Sequence, residues 1–175
     1  MLLSAKAIVY GDDINTDLII AGKYTKTLNI QDLVDHCMED LDPEFHGKCA
    51  ENGAIVAAGK YFGCGSSREQ APTALRESGV KCVAAKSFSR IFYRSAINIG
   101  LPLVECDTDG IREGDELEYE LGGELLRNKT TGRDIPVKPL PALMLAILKA
   151  GGMVEVMKKY GGFDEFTKKM RDENG

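Results

Sequence analysis

No apolar stretch in this 175-residue chain is long enough to cross a bilayer. The longest, Leu140 to Leu148, has nine residues and contains Pro141, whereas a spanning helix needs about 20. The opening Met1-Leu2-Leu3-Ser4-Ala5-Lys6 lacks the basic start and apolar run of a secretory signal. Basic charge is in short supply too: 22 Lys and Arg stand against 27 Asp and Glu, a net charge of −5. The basic residues do not cluster, which argues against a nucleic-acid partner. Only two histidines occur, His36 and His46, both among acidic residues and read as surface positions. The five cysteines, Cys37, Cys49, Cys64, Cys82 and Cys106, form no Cys-x-x-Cys pair. Neither a zinc site nor a self-contained iron–sulfur cluster is signalled, so these are read as reduced, structural thiols. The expectation is a cytoplasmic protein with no membrane or nucleic-acid partner and no metal of its own.

What is present is ordinary globular composition, 43% apolar and 28% charged. The length fits one domain, placed at residues 1–162, with 163–175 as a polar tail that frays. Residues 5–10 read as a strand and Gly11 to Asp17 as a polar turn. A short apolar run, Leu18 to Ala21, follows. Residues 29–40 read as a helix capped by Asn29, and 41–52 as a polar connection. Ala54–Ala58 and Val80–Ala85 read as strands buried on both faces. Helices are expected from about Ala71 to Ser78 and Phe88 to Ile99, and a third strand at Leu101–Val104. Strand–helix–strand–helix–strand at this spacing is a parallel βαβαβ core with helical crossovers. Residues 111–138 read as antiparallel hairpins turning near Gly122-Gly123 and Thr131-Gly132. Helices at Ala142–Ala150 and Met153–Tyr160 close the chain. The class is α/β.

The strongest candidate site is Gly63-Cys64-Gly65-Ser66-Ser67-Arg68-Glu69-Gln70-Ala71-Pro72, between a buried parallel strand and a helix. Ligands of α/β proteins collect there, at the carboxyl end of a strand facing a helix N-terminus. Free amides and the helix dipole favour an anion, and Arg68 offers a fork for a carboxylate or phosphate. No lysine follows the last glycine, so this is not a P-loop. A structural alternative exists: Ser66-x-x-Glu69 is a capping-box pattern. A helix capped at Ser66 would put Pro72 at its sixth position, where a missing N–H costs a hydrogen bond. Proline sits best at a helix start, so a start near Ala71 is preferred, with Ser66, Ser67 and Arg68 left in the loop. Gly11 to Asp17 is a weaker candidate that doubles as an Asx-type turn. Ser87 to Arg90 with Arg94 is the third, equally readable as solvated charge.

Four ordered segments carry a resemblance: Asp12-Asp13-Ile14-Asn15-Thr16-Asp17-Leu18-Ile19, Gly63 to Glu69, Ala85 to Phe92, and Asn98-Ile99-Gly100-Leu101-Pro102. Together they resemble the small subunits of 3-isopropylmalate dehydratase and the swivelling C-terminal domains of aconitase and homoaconitase, over about residues 5–160. The resemblance implies a swivelling β/β/α domain that closes over a 4Fe–4S cluster held by a separate large subunit. This chain would bind no cofactor itself and would be an active hydro-lyase only with that partner. By resemblance, Ser66 is the base that removes the substrate α-proton and Arg68 binds a substrate carboxylate. Ser67 and Gly65 belong to the same substrate-binding loop, and Asn15, Thr16 and Asp17 are supporting residues near the cleft. The implied substrate is a small hydroxy di- or tricarboxylate, with isomerisation of isopropylmalate in leucine biosynthesis as the main reading. Residues after the Asn-Thr-Asp turn meet the variable substituent in such proteins, which draws in Lys26 and Thr27. A cation there resembles the homoaconitase-like version, so homoaconitase or a methylmalate-type hydro-lyase is the second reading. A stand-alone anion-binding module is a third.

Overall fold

The computed structural model describes residues 1–26, 29–49 and 52–174. Seven strands form one curled sheet in the order β4-β3-β2-β1-β5-β6-β7. Strand β1 (Leu2–Val9) lies at the centre. On one side it pairs in parallel with β2 (Ala54–Ala58), and β2 in turn with β3 (Val80–Ala85) and β4 (Leu103–Glu105). On its other side β1 pairs antiparallel with β5 (Glu116–Glu120), followed by β6 (Leu125–Asn128) and β7 (Arg133–Pro136). The two edges meet where Cys106 bridges Val137 and the Lys138 N–H donates to the Glu105 carbonyl at 2.9 Å. That contact removes most of an exposed edge.

Every residue of β2 is buried, and its side chains alternate between two cores. Ala54, Val56 and Ala58 face the first core, with Val83, Ala85, Leu75 and Phe92. Ile55 and Ala57 face the second, with Cys82, Ala84, Leu117 and Tyr119. Small residues at Ala84 and Ala85 let crossover helices approach closely. These helices are α4 (Gln70–Glu77), ending before Gly79, and α5 (Arg90–Ile99), capped by Ser89, whose hydroxyl accepts from the Phe92 N–H.

Three segments differ from the sequence reading. The β1–β2 crossover holds α1 (Thr16–Ile19), α2 (Ile30–Asp35) and α3 (Phe45–Cys49). Asn29 caps α2 as expected, accepting from the Gln31 N–H at 3.1 Å. The helix stops early because the Met38 N–H leaves it to bond the Ile19 carbonyl at 2.8 Å, with Met38 at φ 62°. Apolar spacing continues past the helix because Cys37 and Met38 stay buried in a turn. The 41–52 connection is polar in composition, yet Phe45 is 1% exposed and anchors α3.

The C-terminal segment is the third difference. Helices α6 (Ala142–Ala150) and α7 (Met153–Tyr160) fall where the proline and glycine punctuation puts them. Phe163–Asn174 is a further helix, α8, rather than a fraying tail. Phe166 packs into the second core beside Tyr160, ring centroids 5.1 Å apart. Burying such a side chain contributes roughly 1.5–3 kcal/mol, enough to order a turn or two of polar helix. Phe163, Phe166 and Met170 recur at three and four among Asp, Glu and Lys, a short helical period that the reading of a fraying tail passed over.

Candidate active site

The carboxyl ends of β1, β2 and β3 lie side by side, and the segments leaving them converge. After β2, the Phe62 N–H donates to the Ser87 carbonyl at 3.0 Å and the Ser89 N–H returns to the Phe62 carbonyl at 2.9 Å. The Tyr61 N–H donates to the Ser87 hydroxyl at 2.9 Å. Asp12 Oδ1 accepts the Lys60 N–H at 2.6 Å. The chain then turns at Gly63 (φ 75°), where a Cβ would overlap the Phe92 ring. Only glycine combines that left-handed backbone with so close an aromatic floor.

Two main-chain bonds tie this loop to the Gly11–Asp17 turn. The Gly63 N–H donates to the Ile14 carbonyl at 2.7 Å, and the Thr16 N–H to the Cys64 carbonyl at 2.8 Å. Thr16, 2% exposed, adds its hydroxyl to the Ser66 carbonyl at 3.1 Å. Gly65 (φ 100°) packs on that hydroxyl, which a Cβ would approach to 3.1 Å. The structure therefore brings Asn15, Thr16 and Asp17 against Gly65–Arg68. Asn15 is committed locally, its side chain accepting the Leu18 N–H at 2.9 Å to cap α1.

Ser66 and Ser67 lie exposed at the tip of the loop. Neither hydroxyl has a hydrogen-bond partner among the described residues, and the same holds for the N–H groups of Ser66, Ser67 and Arg68. The capping box is not formed: α4 starts at Gln70, and Glu69 makes no side-chain cap. Pro72 thus sits in the first turn, where its missing N–H has no carbonyl to serve. Ser66 is free of a structural duty, and the free amides in front of α4 are suited to an anion.

Arg68 is held at its root. Its Nη1 donates to Asp17 Oδ1 at 2.5 Å and to the Ile20 carbonyl at 3.3 Å. Nε and Nη2 have no partner among the described residues, leaving one edge of the fork for a ligand carboxylate. An ion pair with Asp17 58% exposed adds little stability, but it fixes the guanidinium's direction. It also cancels part of the Arg68 charge.

Lys26 is exposed and in no ion pair among the described residues. Thr27 lies outside the described residues. The 22–26 segment is anchored beside the loop by residues that sequence reasoning missed. Gln70 Nε2 donates to the Thr25 carbonyl at 3.3 Å. Tyr24 stacks on His36, centroids 3.7 Å apart, and His36 Nδ1 lies 2.6 Å from Glu39 Oε2. Gly22 has no side chain to push away Arg68, whose Nη2 would be 3.3 Å from a Cβ there. A glycine just after an apolar run and before a cation was the available signal.

Four thiols are buried, and burial pushes Cys37, Cys82 and Cys106 to about 12 and Cys49 to about 11. Cys64 is half-exposed, and burial and then the Asp13 carboxylate push it upward. Among the described residues no three His, Cys, Asp or Glu side chains gather to hold a metal. These residues do not fit an iron–sulfur cluster. No helix among the described residues is long and apolar enough to cross a membrane.

Comparison with known proteins accords with this geometry. Residues 7–107 match the aconitase C-terminal domain family. The 3-isopropylmalate dehydratase small subunit of Caldicellulosiruptor bescii is 52% identical over 160 residues, spanning 90% of this chain and 96% of that one. The 3-isopropylmalate dehydratase small subunit 2 of Archaeoglobus fulgidus is 52% identical over 162 residues, 92% and 98% of the two chains. A crystal structure of 3-isopropylmalate dehydratase from Methanocaldococcus jannaschii is 40% identical and superposes with a TM-score of 0.86 over the whole of both chains.

Proposed function

The chain belongs to the aconitase C-terminal domain family, and we propose that it is the small subunit of a cytoplasmic hydro-lyase interconverting 2-isopropylmalate and 3-isopropylmalate in leucine biosynthesis. The observation that carries the site assignment is the unpartnered Ser66 hydroxyl among free loop N–H groups, beside an Arg68 with one open edge. In this reading Ser66, as alkoxide, takes the proton from the carbon next to the hydroxyl-bearing one. A serine is far too weakly acidic for this in water. The amides of residues 66–68, the N-terminus of α4 and exclusion of water by the partner subunit would lower that cost. Arg68, with Ser67 and Gly65, holds a carboxylate. Loss of hydroxide and return of water in the other orientation move the hydroxyl to the neighbouring carbon. Asn15, Thr16 and Asp17 keep loop and guanidinium in place. The test is isomerase activity of the chain mixed with its large subunit. Turnover of isopropylmalate is expected only from the mixture, and its absence overturns the reading.

We assign the 4Fe–4S cluster to the large subunit. The isolated chain should accordingly be colourless and iron-free after anaerobic reconstitution. Absorbance spectra and iron analysis check this, and stoichiometric iron with a cluster band would contradict it.

Lys26 supports a second reading, a homoaconitase-like or methylmalate-type substrate, because it is an exposed cation, in no ion pair among the described residues, on the segment beside the loop. If it meets a distal carboxylate in the closed enzyme, such a bond contributes about 1.5–3 kcal/mol. Lys26→Val should then lower kcat/KM for a tricarboxylate about 10- to 150-fold. It should spare kcat/KM for isopropylmalate, whose alkyl group gains nothing from an ammonium. Equal effects on both substrates would show that Lys26 does not read the substituent.

A further inference from the structure

An apolar cavity of about 410 Å³ is separate from the Ser66 loop. It lies between α5, β4 and the segment entering α6, and no residue of 59–69 or 12–17 lines it. Its volume falls within the range of small-ligand sites, which pair an apolar lining with a few polar groups. Phe88, Tyr93, Leu103 and Met144 supply the apolar wall. The polar groups are mostly of one sign. Glu105 is neutralised by Lys138 at 3.1 Å. Arg90 and Arg94, four apart on α5 and so on one face, have no partner among the described residues. The Tyr93 hydroxyl, also without a partner there, is kept protonated by burial and by the nearby Glu105.

From this arrangement we infer that the cavity is an accessory binding site for a small amphipathic carboxylate, its apolar body among Phe88, Tyr93, Leu103 and Met144 and its carboxylate on Arg90 and Arg94. A neutral apolar molecule would leave two guanidiniums unused, and a phosphate ester of a sugar would leave the apolar wall wet. The site is also placed to be felt at the loop. Phe88 packs edge-on against Phe62, centroids 6.2 Å apart, and Phe62 against Phe92 at 5.3 Å. Phe92 is the floor under Gly63.

Calorimetric titration with 4-phenylbutanoate tests the inference, using its amide as the neutral counterpart. Both are titrated into the full chain and into its complex with the large subunit. One saturable site is expected in each, not displaced by isopropylmalate, with the carboxylate at least about tenfold tighter than the amide. Arg90→Gln with Arg94→Gln, both on exposed side chains, should bring the carboxylate down to the level of the amide. Met144→Trp should fill the cavity and abolish binding of both. Equal affinity for acid and amide in the wild type overturns the inference. Competition with isopropylmalate, or binding to the free chain but not to the complex, overturns it as well; the last would make the cavity part of the subunit interface. None of these readouts requires turnover, so they stand or fall apart from the isomerase assignment.

Discussion

Replacing Ser66 with alanine in the assembled enzyme is expected to lower kcat by roughly 10²–10⁴-fold, the range of a general base, while leaving the fold unchanged. The structure makes the two effects separable. Ser66 caps no helix, and its hydroxyl bonds nothing among the described residues. Its link to the turn runs through its carbonyl, which accepts from the Thr16 hydroxyl and survives the substitution. A cap would have cost about 1 kcal/mol of stability and left turnover nearly intact. Thermal melts beside single-turnover rates distinguish the outcomes. A drop in kcat with KM little changed marks a group used in the transition state. Near-normal turnover ends the assignment of Ser66 as base.

The largest effect on stability is expected at Gly63. An alanine there meets two penalties at once. At φ 75° an L side chain is strained, by roughly 1–2 kcal/mol. Its Cβ would also overlap the ring of Phe92, itself 2% exposed and packed edge-on with Phe62. Overpacking of this kind costs about 1–3 kcal/mol, for a total of roughly 2–5 kcal/mol. For a domain of this size that is a fall in Tm of about 4–20 °C. Because Gly63 also donates to Ile14, relief of the clash would displace Ser66, so activity should fall in the fraction that stays folded. Gly11→Ala is the control, since nothing lies within 4 Å of a Cβ there. A Gly63→Ala protein as stable as wild type would refute this account of the loop.

What could be read in the sequence follows the strength of local signals. Strands β2 and β3 are apolar at nearly every position because they are covered on both sides, and they fall where the runs place them. Gly79 and Gly100 end helices in left-handed conformations, and α6 begins after Pro141. Pro72 alone separated a free Ser66 from a capping one, and α4 starts one residue before the expected Ala71. Long-range contacts were not visible. Nothing near Asp17 in sequence says that it holds Arg68, 51 residues away. Phe45 with Cys49 in α3, and Phe166 with Phe163 and Met170 in α8, have helical spacing but too few apolar residues among the polar ones to stand out. Tyr24 and His36 reveal their stack only once the chain folds back between them.

The two halves of the site are secured by different kinds of bond, and mutation acts on them differently. The Ile14–Gly63 and Thr16–Cys64 ties are main-chain hydrogen bonds, which persist through most changes of side chain. The 22–26 segment instead hangs on side chains, through the Tyr24–His36 stack and the Gln70 amide. Drift in the coding sequence therefore reaches the 22–26 segment well before it disturbs the position of Ser66. On the function proposed above, a lineage of such chains would exchange one hydroxy acid for another by rewriting a few residues after Gly22, with the position of Ser66 inherited intact.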